Sequence, residues 1–359
     1  MRDPKTIHIH ELIKVGFEVG AADIMLKADC PPRMKLFGSV RDLPGEWPKL
    51  TGTEVRALLY QVMNERQRQH FEDHWEMDLG FMVGDVCRVR CNCYCQRGEA
   101  ASVMRIVPTK IRNLEELGLP PSLSETTKHR QGLVLLTGPT GSGKTTSLAA
   151  LIDIINEAKR AHIVTIEDPL EVTHRDKAAH LSQREVGIDT LDYGHAMRAV
   201  VRQAPDVILI GEMRDMTSFN IALQAAETGH LVFSTVHTSS AYETLDRIIN
   251  MFPPHEKVHL CQRLSNTLRA VVSQKLIPRK DGEGRIVCAE ILICTPTVTK
   301  CIEDGHFGDL YHLMNEGGFW GMQTLNQALA RYVKADIISE EMALNYAGIV
   351  SELKQMLRR

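Results

Sequence analysis

The chain has 359 residues, about twice the usual domain of ~150 residues, so two or three domains with their own cores are expected. Hydrophobic residues make up 43% and charged residues 24%, which excludes intrinsic disorder. A net charge of −3 with histidine neutral excludes a global basic field that drives non-specific nucleic-acid binding.

Residues 1–107 read as a small α+β domain that is mostly sheet. A short amphipathic helix is expected over His10–Phe17, extended runs over Asp23–Ala28 and Met34–Phe37, and a helix from Thr51 or Thr53 to Met63. Hydroxyl caps with Glu54 close behind mark the start of that helix. Strands over Leu79–Val83, Val86–Cys95 and Ala100–Val107 are separated by Gly84-Asp85 and Arg97-Gly98 turn signals. Cys87, Cys91, Cys93 and Cys95 cluster here, the last three on one strand face. Their spacing lacks the paired Cys-x-x-Cys turns of a tetrahedral zinc site, so a buried thiol face is expected.

Residues 108–124, with Pro108, Pro120 and Pro121, read as a semi-rigid interdomain linker. Residues 125–295 alternate apolar runs (Leu133–Thr137, His162–Glu167, Val207–Ile210, Leu231–Val236) with helical stretches. That alternation indicates a mainly parallel sheet covered by helices, an α/β fold. A hairpin is expected from Lys275–Pro278 across Asp281-Gly282 to Arg285–Ile293, and residues 296–359 are helical in pattern. Nine cysteines are too few for a disulfide scaffold and fit a reducing cytoplasm. No run of 18 apolar residues and no apolar leader occurs, so a chain neither exported nor membrane-spanning by its own signals is expected.

The sharpest motif is Gly138-Pro139-Thr140-Gly141-Ser142-Gly143-Lys144-Thr145, a complete Walker A loop between an apolar run and a helical stretch, with Thr146 beside it. Its glycines let backbone N–H groups wrap a β-phosphate, Lys144 reaches the β and γ phosphates, and the Thr145 hydroxyl binds Mg²⁺. Three later segments can complete a phosphoryl-transfer site. Thr165-Ile-Glu167-Asp168-Pro169 ends a strand with acids at the carboxyl edge of the sheet, where ligands of open α/β sheets sit, and Glu167 is the candidate base. Asp206-Val-Ile-Leu-Ile-Gly-Glu212 is a buried strand ending in an acid, and Glu212 is the candidate holder of Mg²⁺ or its water. In Glu227-Thr-Gly-His230 through Val236-His237-Thr238, His237 could donate to a γ-phosphate and His230 joins the nucleotide-contact candidates. No Asn-Lys-x-Asp guanine-reading motif occurs, which favours ATP.

These motifs in this order resemble the secretion ATPase superfamily, and within it the PilT-type ATPases of type IV pilus retraction. Ser182-Gln-Arg-Glu-Val186 and Gly321-Met-Gln-Thr-Leu325 are shared as well, and the likeness runs from about Asp23 to Leu325. The resemblance implies an N-terminal PAS-like domain joined to a RecA-like P-loop ATPase domain with a helical C-terminal region. It also implies a homohexamer at the inner face of the inner membrane, cytoplasmic and peripheral, whose ATP-driven domain rotation works on a membrane platform protein. Family sites are completed by arginines of a neighbouring N-terminal domain, and Arg90 and Arg105 match their strand positions. A guanidinium fork suits phosphate oxygens better than a lysine does.

Two departures stand out. Arg202-Gln203-Ala204-Pro205-Asp206 replaces the family's Arg-Gln-Asp-Pro-Asp. The retraction-linked Ala-Ile-Arg-Asn-Leu-Ile-Arg-Glu element corresponds to Thr297-Val-Thr-Lys-Cys-Ile-Glu-Asp304, with both arginine positions changed. An accessory PilU-type ATPase beside a paralogous main motor, a secretion-system ATPase, and a non-catalytic nucleotide-binding regulator are the alternative readings. A nucleic-acid motor is disfavoured because no basic run interleaved with aromatics would track a phosphate backbone.

Overall fold

The computed structural model describes residues 4–36, 38–108, 110–282 and 284–358. Phe37, the end of the second expected strand, Thr109 in the expected linker and Arg359 at the end of the helical tail lie outside the described residues. Two compact units form, one of residues 1–110 with Glu171–Thr173 and one of residues 111–170 with 174–359.

The first unit is a six-stranded antiparallel sheet in the order β3-β2-β1-β6-β5-β4. Its strands are β1 (Asp23–Leu26), β2 (Arg33–Leu36), β3 (Ser39–Asp42), β4 (Glu76–Val83), β5 (Cys87–Gln96) and β6 (Glu99–Pro108). Helix α1 (Ile9–Glu18) buries Ile9, Leu12, Ile13 and Gly16, a stripe of helical period. A Cβ on Gly16 would lie 2.7 Å from Ile24 Cδ1, so glycine permits this close helix–sheet approach. Helix α2 (Gly52–Tyr60) opens with a full capping box of Thr51 and Glu54. Helix α3 (Glu65–His74), absent from the sequence reading, buries only Phe71 and is tied to α2 by Arg56 on Glu72 and by Arg68 on the Tyr60 carbonyl. Cys87, Cys91 and Cys93 are buried in this core, with the sulfurs of Cys91 and Cys93 3.5 Å apart.

The second unit is a seven-stranded sheet in the order β13-β12-β7-β11-β10-β8-β9. Its strands are β7 (Gly132–Thr137), β8 (His162–Glu167), β9 (His180–Glu185), β10 (Val207–Ile210), β11 (Leu231–Val236), β12 (Leu268–Pro278) and β13 (Arg285–Ile293). All neighbours are parallel except β12 with β13. Between them lie α4 (Lys144–Ala158), α5 (Tyr193–Val200), α6 (Met216–Glu227), α7 (Ala241–Asn250) and α8 (Lys257–Thr267), followed by α9 (Pro296–Glu303), α10 (Leu310–Glu316), α11 (Leu325–Lys334), α12 (Glu340–Tyr346) and α13 (Val350–Arg358). Successive β7 residues feed two different cores. Leu133 and Leu135 pack with α5 to α8, whereas Val134 and Leu136 pack with α4. Coverage of both faces is why these strands read as unbroken apolar runs.

Residues 114–123, expected in a linker, belong to the α4-side core: Leu114, Leu117, Leu119 and Leu123 are all buried there. The Tyr332 hydroxyl donates to the Gly118 carbonyl at 2.7 Å. The stretch looks polar in sequence because only these spaced leucines turn inward.

His174, in the connection from β8 to β9, has a buried side chain whose Nδ1 lies 3.9 Å from Asp153 Oδ1, outside hydrogen-bond range. Burial lowers its pKa from 6.5 to about 4, with Lys177 acting in the same direction and Asp153 against it. As pH falls below 6.5 the unfolded chain takes up this proton before the native one, so stability is lost down to about pH 4, by up to ~3 kcal/mol. In urea titrations at several pH values, His174→Gln should flatten the decline of stability between these limits relative to the parent chain. An unchanged slope would remove His174 from the acid response.

Candidate active site

The parallel order β7-β11-β10-β8 brings the carboxyl ends of four adjacent strands to one edge. From them emerge the 138–143 loop, His237, Glu212 and Glu167, so four segments far apart in sequence share one sheet edge.

The loop fits a phosphate. Gly138, Gly141 and Gly143 have φ of +142°, +77° and +90°, a region closed to most side chains. A Cβ on Gly138 would lie 2.4 Å from the Gln274 carbonyl oxygen. Helix α4 starts at Gly143 without a side-chain cap, leaving its first amides and its dipole to an anion. Lys144 is buried, its Nζ donating to the carbonyls of Gly138 at 2.7 Å and Pro139 at 3.0 Å. The Ser142 Oγ is buried with no hydrogen-bond partner among the described residues. Thr145 and Thr146 lie half-buried in the first turn. The Thr145 hydroxyl and the Glu212 carboxylate are the hard oxygen donors that Mg²⁺ takes.

Glu167 is buried at the end of β8, before the cis Asp168–Pro169 bond. The β10 exit lies beside it: Gly211 N–H donates to the Ile166 carbonyl, and Thr235 Oγ1 on β11 donates to the Gly211 carbonyl at 2.7 Å. A Cβ on Gly211 would meet the Tyr193 hydroxyl oxygen at 2.9 Å and Glu167 Cα at 3.3 Å, so this position requires close backbone approach.

Glu212 pairs with Arg214 and lies 3.3 Å from His237 Nε2. Burial opposes its ionisation, but the Arg214 guanidinium and His237 outweigh burial and hold its carboxyl below the usual range. Burial pushes the Tyr193 phenol up, and Glu212, Asp168 and Glu167 around it push the same way. Beside the loop, this same edge is therefore a cluster of negative charge, suited to a divalent cation and a polarised water.

Helix α7 holds His237. Arg247 donates to its carbonyl at 2.7 Å, and the hydroxyls of Thr238 and Thr244 are 2.7 Å apart. Arg214, Arg247 and Tyr193 were not singled out from sequence. Arg214 alone carried a visible signal, two residues past Glu212.

His230 requires a correction. It precedes β11, where its carbonyl accepts from Gly132 N–H, and its Nδ1 lies 2.9 Å from the Ala225 carbonyl. With six β11 residues between them, His230 and His237 stand at opposite sheet edges, about 20 Å apart. His230 is thus held at the end of β11 away from its own chain's phosphate loop.

Arg90 and Arg105 lie in the first unit, directly opposite each other in the β5–β6 register. Each has its own acid: Arg90 donates to Glu171 at 3.1 Å, and Arg105 to Asp23 at 3.0 Å.

Residues 75–314 match the family described as Type II/IV secretion system protein. The chain is 43% identical to the type IV pilus retraction ATPase PilT of Pseudomonas aeruginosa, over 95% of this chain and 98% of that one. It is 37% identical to the type IV pilus ATPase PilU of the same organism, over 98% and 92%. A crystal structure of the pilus retraction motor PilT with bound ADP superposes with a TM-score of 0.91 at 39% identity, covering 97% of this chain and 99% of that one.

Proposed function

From the premise that the chain belongs to the type II/IV secretion system protein family, we propose that it is an ATP-hydrolysing motor powering type IV pilus retraction. The observation that carries this reading is the single sheet edge joining the phosphate loop, Glu167, Glu212 and His237, in a chain similar to PilT over nearly its whole length. In this reading the first unit is the PAS-like domain and the second the RecA-like ATPase.

Lys144 and the loop amides bind the β and γ phosphates. Thr145 and Glu212 would hold Mg²⁺, which would neutralise phosphate charge. Glu167 takes the proton of the attacking water and His237 donates to the γ-phosphate. Arg90 and Arg105 of a neighbouring subunit in a homohexamer neutralise the transferring phosphoryl group, and their movement onto it turns the domains. With Leu114 to Leu123 packed in the core, the turning falls to residues before Leu114. The ring works in the cytoplasm against an inner-membrane platform protein.

One feature favours the accessory reading. Helix α9 keeps its buried Val298 and Ile302, but Thr299 and Glu303 occupy the family's two arginine positions and Lys300 pairs with Glu303 and Asp304. Its exposed face has thus lost the two positive charges linked to retraction.

Steady-state ATPase activity, recorded with oligomeric mass, tests the proposal. Turnover with a mass near six chains is expected, and an ATP-binding ring without turnover would overturn the motor reading. Expression in cells lacking their own retraction ATPases then separates the roles: a main motor restores twitching alone, an accessory one only beside a paralogue.

A further inference from the structure

Strand β13 carries a carboxylate where its pattern calls for an apolar residue. Cys288, Glu290 and Leu292 share one strand face, and all three are buried. Leu292 packs in the cluster containing Leu245 and Ile248 of α7, and Cys288 in the cluster containing Leu325 and Leu329 of α11. Glu290 therefore sits at the seam of two apolar cores. Burial raises its carboxyl pKa, and the Ala241 N–H and then Lys275 act against the rise. A leucine there would avoid the cost of burying a carboxylate.

What Glu290 gains is one directed contact. Its Oε1 accepts the Ala241 N–H at 2.8 Å. Ala241 is the first residue of α7, and the Ser240 side chain is already engaged as N-cap by Glu243 N–H. Glu290 thus takes a second orphan amide of this helix start, from a strand 49 residues away. The same helix holds His237 through Arg247 on its carbonyl and through Thr244 on Thr238.

We infer that Glu290 is a positioning residue for His237: its carboxylate fixes the amino end of α7, and α7 fixes the histidine at the phosphate edge. Because β13 runs directly into α9, this anchor also joins the catalytic edge to the C-terminal region whose surface charges depart from the family. The inference rests on the reading of the chain as an ATPase.

The test compares Glu290→Leu, which fills the space without an acceptor, with Glu290→Gln, which keeps a carbonyl acceptor. Hydrogen exchange over residues 237–245 reads the anchor without any turnover and should rise about tenfold in the leucine variant only. Its kcat should fall about 10–100-fold while KM and ADP affinity move less than about threefold, as misplacement without lost binding requires. The glutamine variant should stay within about threefold of the parent chain. Arg247→Ala, at an exposed position on the α7 side, should reproduce the kcat loss even if the leucine variant does not fold. Unchanged exchange in Glu290→Leu, equal kcat losses in the leucine and glutamine variants, or parent-like kcat in Arg247→Ala would each overturn the inference. A parent chain without turnover would sink the ATPase reading alone, since the exchange comparison still decides whether the anchor exists.

Discussion

Glu167→Gln should bind nucleotide as the parent chain does and hydrolyse ATP about 10³-fold more slowly, the range expected when a general base is removed. The substitution keeps shape and hydrogen-bonding capacity but cannot take a proton at neutral pH. Glu167 ends a strand held on both sides, by β10 and β9 in parallel register, so its loss is not expected to move the backbone. Ile163, Val164 and Ile166 stay in the two cores. A steady-state ATPase assay, paired with the affinity of a fluorescent ADP, separates chemistry from binding. Parent-like turnover would pass the base role to another group. Loss of ADP affinity in step with kcat would make Glu167 a structural residue.

Arg90→Ala should lower kcat by about 10³-fold, as removal of an arginine that neutralises a transferring phosphoryl group does. The arginine is half-exposed and its acid, Glu171, is 43% exposed, so the pair contributes about 0–1 kcal/mol and is readily exchanged for a phosphate. Stability should therefore barely change. Arg105 is a poorer probe because its partner Asp23 is only 7% exposed, and removing the guanidinium strands a buried acid. Mixing Arg90→Ala with Lys144→Ala chains tests action between subunits. Each variant lacks one half of a site, and mixed rings contain some interfaces where both halves are intact. Activity should partly recover at intermediate ratios. A mixture no better than its components at any ratio would count against Arg90 acting on a neighbour's nucleotide.

The central strands were legible because helices cover both faces of the sheet, which forces runs such as Val207–Ile210 to be apolar throughout. Edges were not. Strand β3 is exposed at every residue and β9 buries only Glu185 fully, so neither carries a hydrophobic period. Helix α3 escaped notice because it buries a single phenylalanine and so shows no apolar stripe.

The shared sheet edge could be read from motif order, since each motif ends a strand and parallel strands share an end. His230 shows the limit of that logic. Its motif membership was visible, but the length of β11 that carries it to the opposite edge is a property of the folded sheet. Glu290 was out of reach for a related reason, because the amide it holds opens a helix 49 residues away, and nothing in the helical pattern of α7 marks the bond from Arg247 back to the His237 carbonyl.

The leucines of residues 114–123 bear on how this protein can be dissected. A fragment cut at residue 125, where the motif map starts the ATPase, would discard four side chains seated in its core, at on the order of 2 kcal/mol each. It would open an apolar trough over α4 and leave the Tyr332 hydroxyl without its Gly118 acceptor. A fragment that starts at Ile111 keeps that wall. The smallest fragment that keeps this core whole is therefore longer than its motifs, and part of what looks like tether is casing.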